Sequence, residues 1–290
     1  MIPAPFDYLV PQSLDEAVAA LAAHGEEAKL LAGGHSLLPL MKLRLACPKL
    51  LIDLGRMPGL SGIREEDGKL VIGALTTHYE IESSELLREK CALLSAAAGE
   101  IGDLQVRHRG TIGGSLAHGD PAADLPAAVL ALRGEFRIRG VEGERSIPGE
   151  DFFLGPLSTA LRPTEVLTEI RVPLLSGKCG AAYLKVRQKA SGFAIVGVAV
   201  WLRMSGDRLV EDIGIGVTGL GTKPFRAAGI EERLKGKKLE PSLLKEAASR
   251  VSQDADPLED LHASAEFRVH LARLYTIKAI EQAVKKVGGQ

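Results

Sequence analysis

Cysteine is scarce. The chain carries three, Cys47, Cys91 and Cys179, far apart and without a C-x-x-C pair. That argues against a zinc ribbon or an iron–sulfur cluster held by this chain alone, and reads as isolated buried thiols in a reducing compartment. An excess of charge of one sign is also missing: 36 Lys and Arg stand against 37 Asp and Glu, a formal net charge of −1. No electrostatic footprint for nucleic acid or an anionic membrane follows from such a balance. No apolar run reaches transmembrane length, and the opening MIPAPFDYLVPQSLDE has neither a basic n-region nor an apolar h-region. The expected location is therefore the cytoplasm. No glycine-rich loop ends in Gly-Lys-Ser/Thr and no histidine pair has zincin spacing, so neither a P-loop nor a metal site is expected.

What is present is ordinary in bulk. Apolar residues make up 46% and charged residues 25% of 290 positions, the profile of a globular protein with a sizeable core and of two-domain length. The 32 glycines follow no G-X-Y period and point to tight turns. Ser13 and Glu16 are spaced as a capping box for a helix over LDEAVAALAAH, with Leu14, Ala17, Val18 and Leu21 on its buried stripe and Gly25 as its stop. KLLA at 29–32 and KLLIDL at 49–54 read as strands, closing a small β–α–β unit near Gly55. A strand at 69–74, one helix across 84–102, a second glycine loop, a helix within 121–132 and strands at EFRIRG and EVLTEIRVP follow.

Turn residues cluster at 174–180 and place a domain boundary there. Beyond it AAYLKVRQ, GFAIVGVAVWLRM and LVEDIGIGVTGLG read as three strands, followed by helices near 226–235, across PSLLKEAASRVSQ and from Ser264 to Lys286. The fold class is α+β: a domain over 1–176, subdivided near 55, and a second over 177–290 with a three-stranded antiparallel sheet packed on a helical bundle.

GIGVTG at 214–219 matches the glycine spacing of a dinucleotide-binding fingerprint. That motif must close a strand and open a helix, whereas Ile213, Ile215 and Val217 alternate as on a strand and LGTKP follows. Glycines easing a strand against a neighbouring helix explain it better. Two Gly-Gly pairs are different. AGGHSLLP at 32–39 and TIGGSLAH at 111–118 each offer bare backbone beside hydroxyl side chains, with Gly113 eighty positions after Gly33. Backbone without Cβ, its N–H groups turned outward, suits a phosphate. Two such nests facing each other would suit a diphosphate, and two tight turns are the plain alternative.

The flanks of the two pairs carry a resemblance. LAGGHSLLPLMKLRLACPKLLIDLGRMPGL and IGDLQVRHRGTIGGSLAHGDPAADLPAAVLAL, continued by EVLTEIRVP and AAYLKVRQKASGFAIVGVAV, closely resemble the FAD-binding medium subunits of the molybdenum hydroxylase family. The resemblance covers nearly the whole chain. It implies an N-terminal FAD-binding domain in two parts, of the vanillyl-alcohol-oxidase (PCMH) type, and a C-terminal domain of the carbon monoxide dehydrogenase flavoprotein type. It implies non-covalent FAD, its pyrophosphate wrapped on one side by Ala32, Gly33, Gly34, His35, Ser36 and Leu37 and on the other by Thr111, Ile112, Gly113, Gly114 and Ser115. Asp124 is expected to bind FAD polar groups, Leu167 to contact the flavin region and Lys185 to place a cation near the cofactor. Tyr183 shares a strand face with Lys185 and either shields the flavin ring or packs in the core. His35 stands in a GGH context that in more distant flavoproteins anchors FAD covalently, and His118 is expected to be a hydrogen-bonding neighbour.

The implied function is electron transfer. A large molybdopterin subunit oxidises substrate, a small subunit with [2Fe-2S] clusters passes electrons to FAD here, and an external acceptor takes them. The implied assembly is a dimer of heterotrimers. No catalytic side chain is assigned, since the protein's part is to place the cofactor and tune its electronics. The absence of an inserted cysteine-rich loop argues against the hydroxybenzoyl-CoA reductase branch. A self-sufficient FAD oxidoreductase of the same fold, or a non-catalytic FAD-binding module, are the alternatives.

Overall fold

A computed structural model describes residues 1–253 and 255–287. The chain opens with strand β1 (Asp7–Leu9), helix α1 (Leu14–His24), β2 (Ala28–Leu31), α2 (Leu37–Lys42) and β3 (Leu50–Asp53). The three strands form a parallel sheet in the order β1-β3-β2. Ser13 caps α1 by accepting from the Glu16 amide, and Gly25 ends it at φ +54°. The expected capping box is displaced by one residue, because the Glu16 carboxylate accepts from the Gln12 amide at 2.6 Å. Ala17, Val18 and Leu21 pack with Ala28, Leu50 and Ile52 into a small core of their own. Neither β1 nor α2 was anticipated: β1 is only three residues long, and α2 carries Pro39 in a six-residue turn.

A second layer follows: β4 (Ile63–Glu66), β5 (Lys69–Gly73), α3 (His78–Ser83), α4 (Glu85–Lys90), α5 (Ala92–Gly99), α6 (Leu104–Arg109), α7 (Ile112–His118) and α8 (Asp124–Ala131). Then come β6 (Glu135–Gly140), β7 (Gly143–Pro148), β8 (Phe153–Gly155), β9 (Ser158–Thr159) and β10 (Val166–Pro173). Five of these strands make an antiparallel sheet in the order β4-β5-β10-β6-β7. The single helix expected over 84–102 is two, α4 and α5, because Cys91 adopts a non-helical φ of −156° and ψ of 60°. Leu93, Leu94, Ala97 and Ala98 are buried on α5.

The C-terminal part begins with β11 (Cys179–Arg187), β12 (Ala194–Met204), β13 (Val210–Thr218) and β14 (Phe225–Arg226). These form an antiparallel sheet of four strands, not the three expected; the added β14 is a two-residue edge too short for a periodic signal. Helices α9 (Ala228–Leu234), α10 (Pro241–Ala248) and α11 (Ala265–Lys286) complete the described chain.

The long strands alternate between two cores, as a period of two requires. Ala182, Val198, Val200, Leu202, Ile213, Ile215 and Val217 face the helices α9–α11. Tyr183, Ala199 and Trp201 instead join the core built by α5, α8 and the antiparallel sheet, and the Trp201 Nε1–H donates to the Ala131 carbonyl at 2.6 Å. The literal fingerprint GIGVTG is strand here. A Cβ at Gly214 or Gly216 would overlap the carbonyl oxygens of Ala131 and Ala127, so these glycines let α8 lie directly on β13. One side of the C-terminal sheet is thereby fastened to the helix that opens with Asp124.

Candidate functional site

The site begins where β2 ends. The Leu31 carbonyl accepts from the Leu54 amide at 2.8 Å, and the chain then leaves the sheet. From Ala32 to Leu37 six successive amides donate to no protein acceptor among the described residues, until the Leu38 amide returns to the Gly34 carbonyl at 3.1 Å. Gly34 has φ +77°, a conformation that turns neighbouring amides to one side and favours glycine. A row of free donors on a concave backbone binds anions. Gly33 serves a different need: a Cβ there would overlap the Arg109 carbonyl and come within 2.8 Å of the Gly110 Cα. It lets the chain entering the second motif cross directly behind the first.

The second glycine pair is not a loop and not a second nest. Residues 112–118 are α7, capped by Thr111, whose hydroxyl accepts from the Gly114 amide at 3.1 Å. The Ile112 amide donates to Thr76 at 3.0 Å, the Gly113 amide to Ala74 at 2.8 Å and the Ser115 amide to Thr111 at 3.0 Å. The expectation of two facing sets of amide donors therefore fails, since the helix and its cap use the second set. What Gly114 contributes is space. A Cβ on it would meet only the Thr111 Oγ1 at 2.8 Å and the Ala32 Cβ at 3.8 Å.

Both motifs border one cavity of about 1060 Å³, at the upper end of the roughly 300–1,000 Å³ usual for cofactor sites. Ala32 to Leu37 line it, as do Thr111, Gly113, Gly114 and Ser115, together with Asp124, Leu167 and His118. Ile112 is fully buried beneath the second motif and does not reach the wall. His35 is exposed, its Nδ1 3.3 Å from the Gly33 carbonyl.

Tyr183 and Lys185 stand behind the wall instead of on it. They share a strand face as their parity requires, and both reach Asp124. The Tyr183 hydroxyl donates to Oδ1 at 2.5 Å, and the Lys185 ammonium donates to Oδ1 at 2.9 Å and Oδ2 at 3.0 Å. Lys185 also donates to the Gly192 carbonyl at 2.7 Å, which fixes the loop carrying Ser191, Gly192 and Phe193 against the cavity. Burial pushes the Asp124 carboxyl up to about 6, although Lys185 and Tyr183 both favour its charged form. Burial, and then the Asp124 charge, push the Tyr183 phenol well above its usual range. The Asp124 oxygens are thus largely committed within the protein.

Among the wall residues that sequence reasoning missed, two stand out. Phe193 is a half-exposed aromatic at its rim, hidden in the turn-like stretch KASGF. His78 is buried at the first position of α3 and lines the cavity. Its signal was legible: Thr77 and Glu80 form a complete capping box, which marks a helix start and so the direction of the next side chain.

Free backbone donors and apolar side chains along one large cavity define a site for a ligand with an anionic group. Comparison with known proteins gives that class its family. The family described as the FAD binding domain in molybdopterin dehydrogenase matches residues 4–175, and the CO dehydrogenase flavoprotein C-terminal domain matches residues 181–283. The chain is 43% identical to the carbon monoxide dehydrogenase medium chain of Hydrogenophaga pseudoflava over 98% of both chains. It is 36% identical to the glyceraldehyde dehydrogenase medium chain of Sulfolobus acidocaldarius, over 97% of this chain and 99% of that one.

Among solved structures, a chain of the H. pseudoflava carbon monoxide dehydrogenase superposes with a TM-score of 0.96, covering 99% of this chain and 100% of that one. A chain of quinoline 2-oxidoreductase from Pseudomonas putida gives 0.91 at 30% identity, covering 98% and 99%. The protein belongs to the family of FAD-binding medium subunits of molybdenum hydroxylases. It is an oxidoreductase component, and FAD is its cofactor. The site fits that cofactor: the free amides suit a pyrophosphate, and Leu31, Leu37, Leu54 and Leu167 give the cavity apolar stretches for ring systems.

Proposed function

We propose that this chain is the FAD-carrying electron-transfer subunit of a heterotrimeric molybdenum hydroxylase. A small subunit with [2Fe-2S] clusters would deliver electrons, a large molybdopterin subunit would oxidise the substrate, and an external acceptor would collect from this chain. The observation that carries the reading is the row of unpaired amides from Ala32 to Leu37 on a large cavity that Gly114 also lines. Bound FAD supplies the chemistry, accepting electrons singly and storing two.

The residues do the holding. Ala32 to Leu37 bind the pyrophosphate, with the Ser36 hydroxyl and the Thr111 and Ser115 hydroxyls at its margins. Gly114 leaves room for it beside Ala32, and Leu167 excludes water from the flavin side. Asp124, Tyr183 and Lys185 act as a positioning group that fixes the 191–193 loop, while Phe193 closes the rim. The N-terminal part corresponds to the two-part FAD-binding domain of the vanillyl-alcohol-oxidase (PCMH) type. A dimer of heterotrimers in the cytoplasm is the proposed assembly; among the described residues no helix is long and apolar enough to cross a membrane.

The test is co-purification followed by anaerobic addition of candidate substrates. The expected result is an assembly with molybdenum and iron in which the flavin of this chain bleaches only when the partners are present. Turnover of a small molecule by the isolated, FAD-loaded chain would instead favour a self-sufficient oxidoreductase.

A further inference from the structure

Arg268 is a buried cation outside the cavity wall. It stands in the first turn of α11, after the Ser264 cap, and is 2% exposed. Its guanidinium donates to the Ile195 carbonyl at 2.6 Å, to the Gly219 carbonyl at 2.7 Å and to the Asp260 carboxylate at 2.7 Å. Taking a guanidinium out of water is costly, and only several well-made bonds offset it. Its one anionic partner stands toward solvent, with the Asp260 side chain 40% exposed. The other two bonds go to backbone.

The carbonyls it holds belong to two strand ends. Ile195 is the second residue of β12, and Gly219 directly follows β13. The two chains touch there, since a Cβ on Gly219, at φ +77°, would come within 2.5 Å of the Ile195 carbonyl oxygen. Both strand ends then reach the segment before Asp124. The Gly219 amide donates to the Pro121 carbonyl at 2.7 Å and the Ala194 amide to the Ala122 carbonyl at 3.2 Å. The Thr218 hydroxyl lies 2.7 Å from the Pro121 carbonyl oxygen and 2.8 Å from that of Ala123. All three carbonyls of residues 121–123 thus meet donors from these strand ends.

The segments so held border the cavity: Ala123 and Asp124 after the one, Ser191, Gly192 and Phe193 before Ala194 in the other. A second buried cation grips the same stretch. Lys185 donates to the Gly192 carbonyl at 2.7 Å and to Asp124. Phe193 therefore stands between the carbonyls of Gly192 and Ile195, each held by a buried cation.

We propose that Arg268 is a positioning residue of the cofactor site. From α11 it ties the ends of β12 and β13 together, and through them it holds the 121–124 segment and Phe193 in place against FAD. The inference rests on FAD occupying this cavity. FAD titration of the unaltered chain comes first, and failure to bind overturns the occupancy itself. Arg268→Met and Arg268→Lys are then compared with Ala279→Gly, which weakens the same helix at a buried position with no bond to either carbonyl. The readouts are FAD affinity, the visible circular dichroism of the bound flavin at saturation, and amide hydrogen exchange at Ala194 and Gly219 without FAD.

Arg268→Met should bind FAD about tenfold more weakly, alter the flavin signal even at saturation and speed exchange at both amides. Ala279→Gly should lower the melting temperature and leave affinity and flavin signal unchanged. Arg268→Lys retains a cation without the planar fork and should recover part of the affinity. Unchanged affinity in Arg268→Met overturns the proposal, as does a loss that Ala279→Gly reproduces in proportion to its lost stability. Should Arg268→Met not fold, Arg268→Lys carries the test, and affinity and flavin signal equal to those of the unaltered chain overturn it.

Discussion

The Tyr183 hydroxyl donates to the Asp124 carboxylate at 2.5 Å, joining strand β11 of the C-terminal sheet to the first residue of helix α8. Lys185, whose side chain is fully buried, completes the group and extends it to the Gly192 carbonyl. The two partners of Asp124 are not equivalent. Tyr183→Phe removes one hydrogen bond while leaving the charge paired, and should cost about 1–2 kcal/mol. Lys185→Met leaves a buried carboxylate without its cation and should cost about 3–5 kcal/mol. Urea unfolding of the two variants decides this, and equal losses would contradict the assigned roles. FAD affinity should fall in Lys185→Met as well, because the 191–193 loop loses its anchor.

Asp124 also sets a pH dependence with a definite sign. Its folded-state pKa of about 6 lies above the ordinary carboxylate value, so between roughly pH 4 and 6 the folded chain binds more protons than the unfolded one. The contribution of this group to stability is complete below pH 4 and is lost as pH rises through 6, by roughly 1.4 kcal/mol per pKa unit. Paired carboxylates such as Glu169 and Asp212, whose pKa values are lowered, give the opposite slope. The measurement is therefore the stability difference between the native chain and Asp124→Asn at pH 4.5, 5.5 and 6.5. It should shift against the native chain with rising pH; a constant difference would show that Asp124 does not titrate there.

The adjacent glycines of the second motif should fail in different ways. A Cβ on Gly113 would lie 2.6 Å from the Ala74 carbonyl oxygen, so Gly113→Ala should lose about 1–3 kcal/mol of stability through overpacking. Gly114→Val disturbs only the Thr111 cap and narrows the cavity toward Ala32, and should weaken FAD binding far more than it lowers the melting temperature. Calorimetry paired with FAD titration separates the two, and matching profiles would contradict the division of labour.

Thiol reactivity follows burial. Cys47 is exposed, while burial raises the Cys179 thiol and pushes Cys91 up to about 12. A thiolate reagent should modify Cys47 quickly, Cys179 slowly and Cys91 only on unfolding. Mass spectrometry of the partly labelled chain identifies the order, and early modification of Cys91 would mean that the break between α4 and α5 opens in the native state.

Much of this was legible in the sequence where a local rule governs. The α1 stripe of Ala17, Val18 and Leu21, the strand reading of GIGVTG and the shared face of Tyr183 and Lys185 all follow from periodicity. Glycine-pair spacing and its flanks led to the FAD family. What stayed hidden depends on contacts distant in sequence. Gly33 and Gly113 are glycines because Arg109 and Ala74 press on them, so the side on which a Cβ would stand faces protein and not ligand. The second motif reads as a loop in sequence because two glycines mask a helix start that Thr111 caps. The place of the buried His78 on the cavity is visible only once the ring's surroundings are known.

The central claim is that the Ala32–Leu37 cradle holds one FAD without a covalent bond. The purified chain, saturated with FAD, freed of excess by gel filtration and then precipitated with acid, tests it most directly. One flavin per chain, released wholly into the supernatant, is the predicted result. A folded chain that retains no flavin would contradict the site, and colour left in the pellet would make His35 a covalent anchor instead.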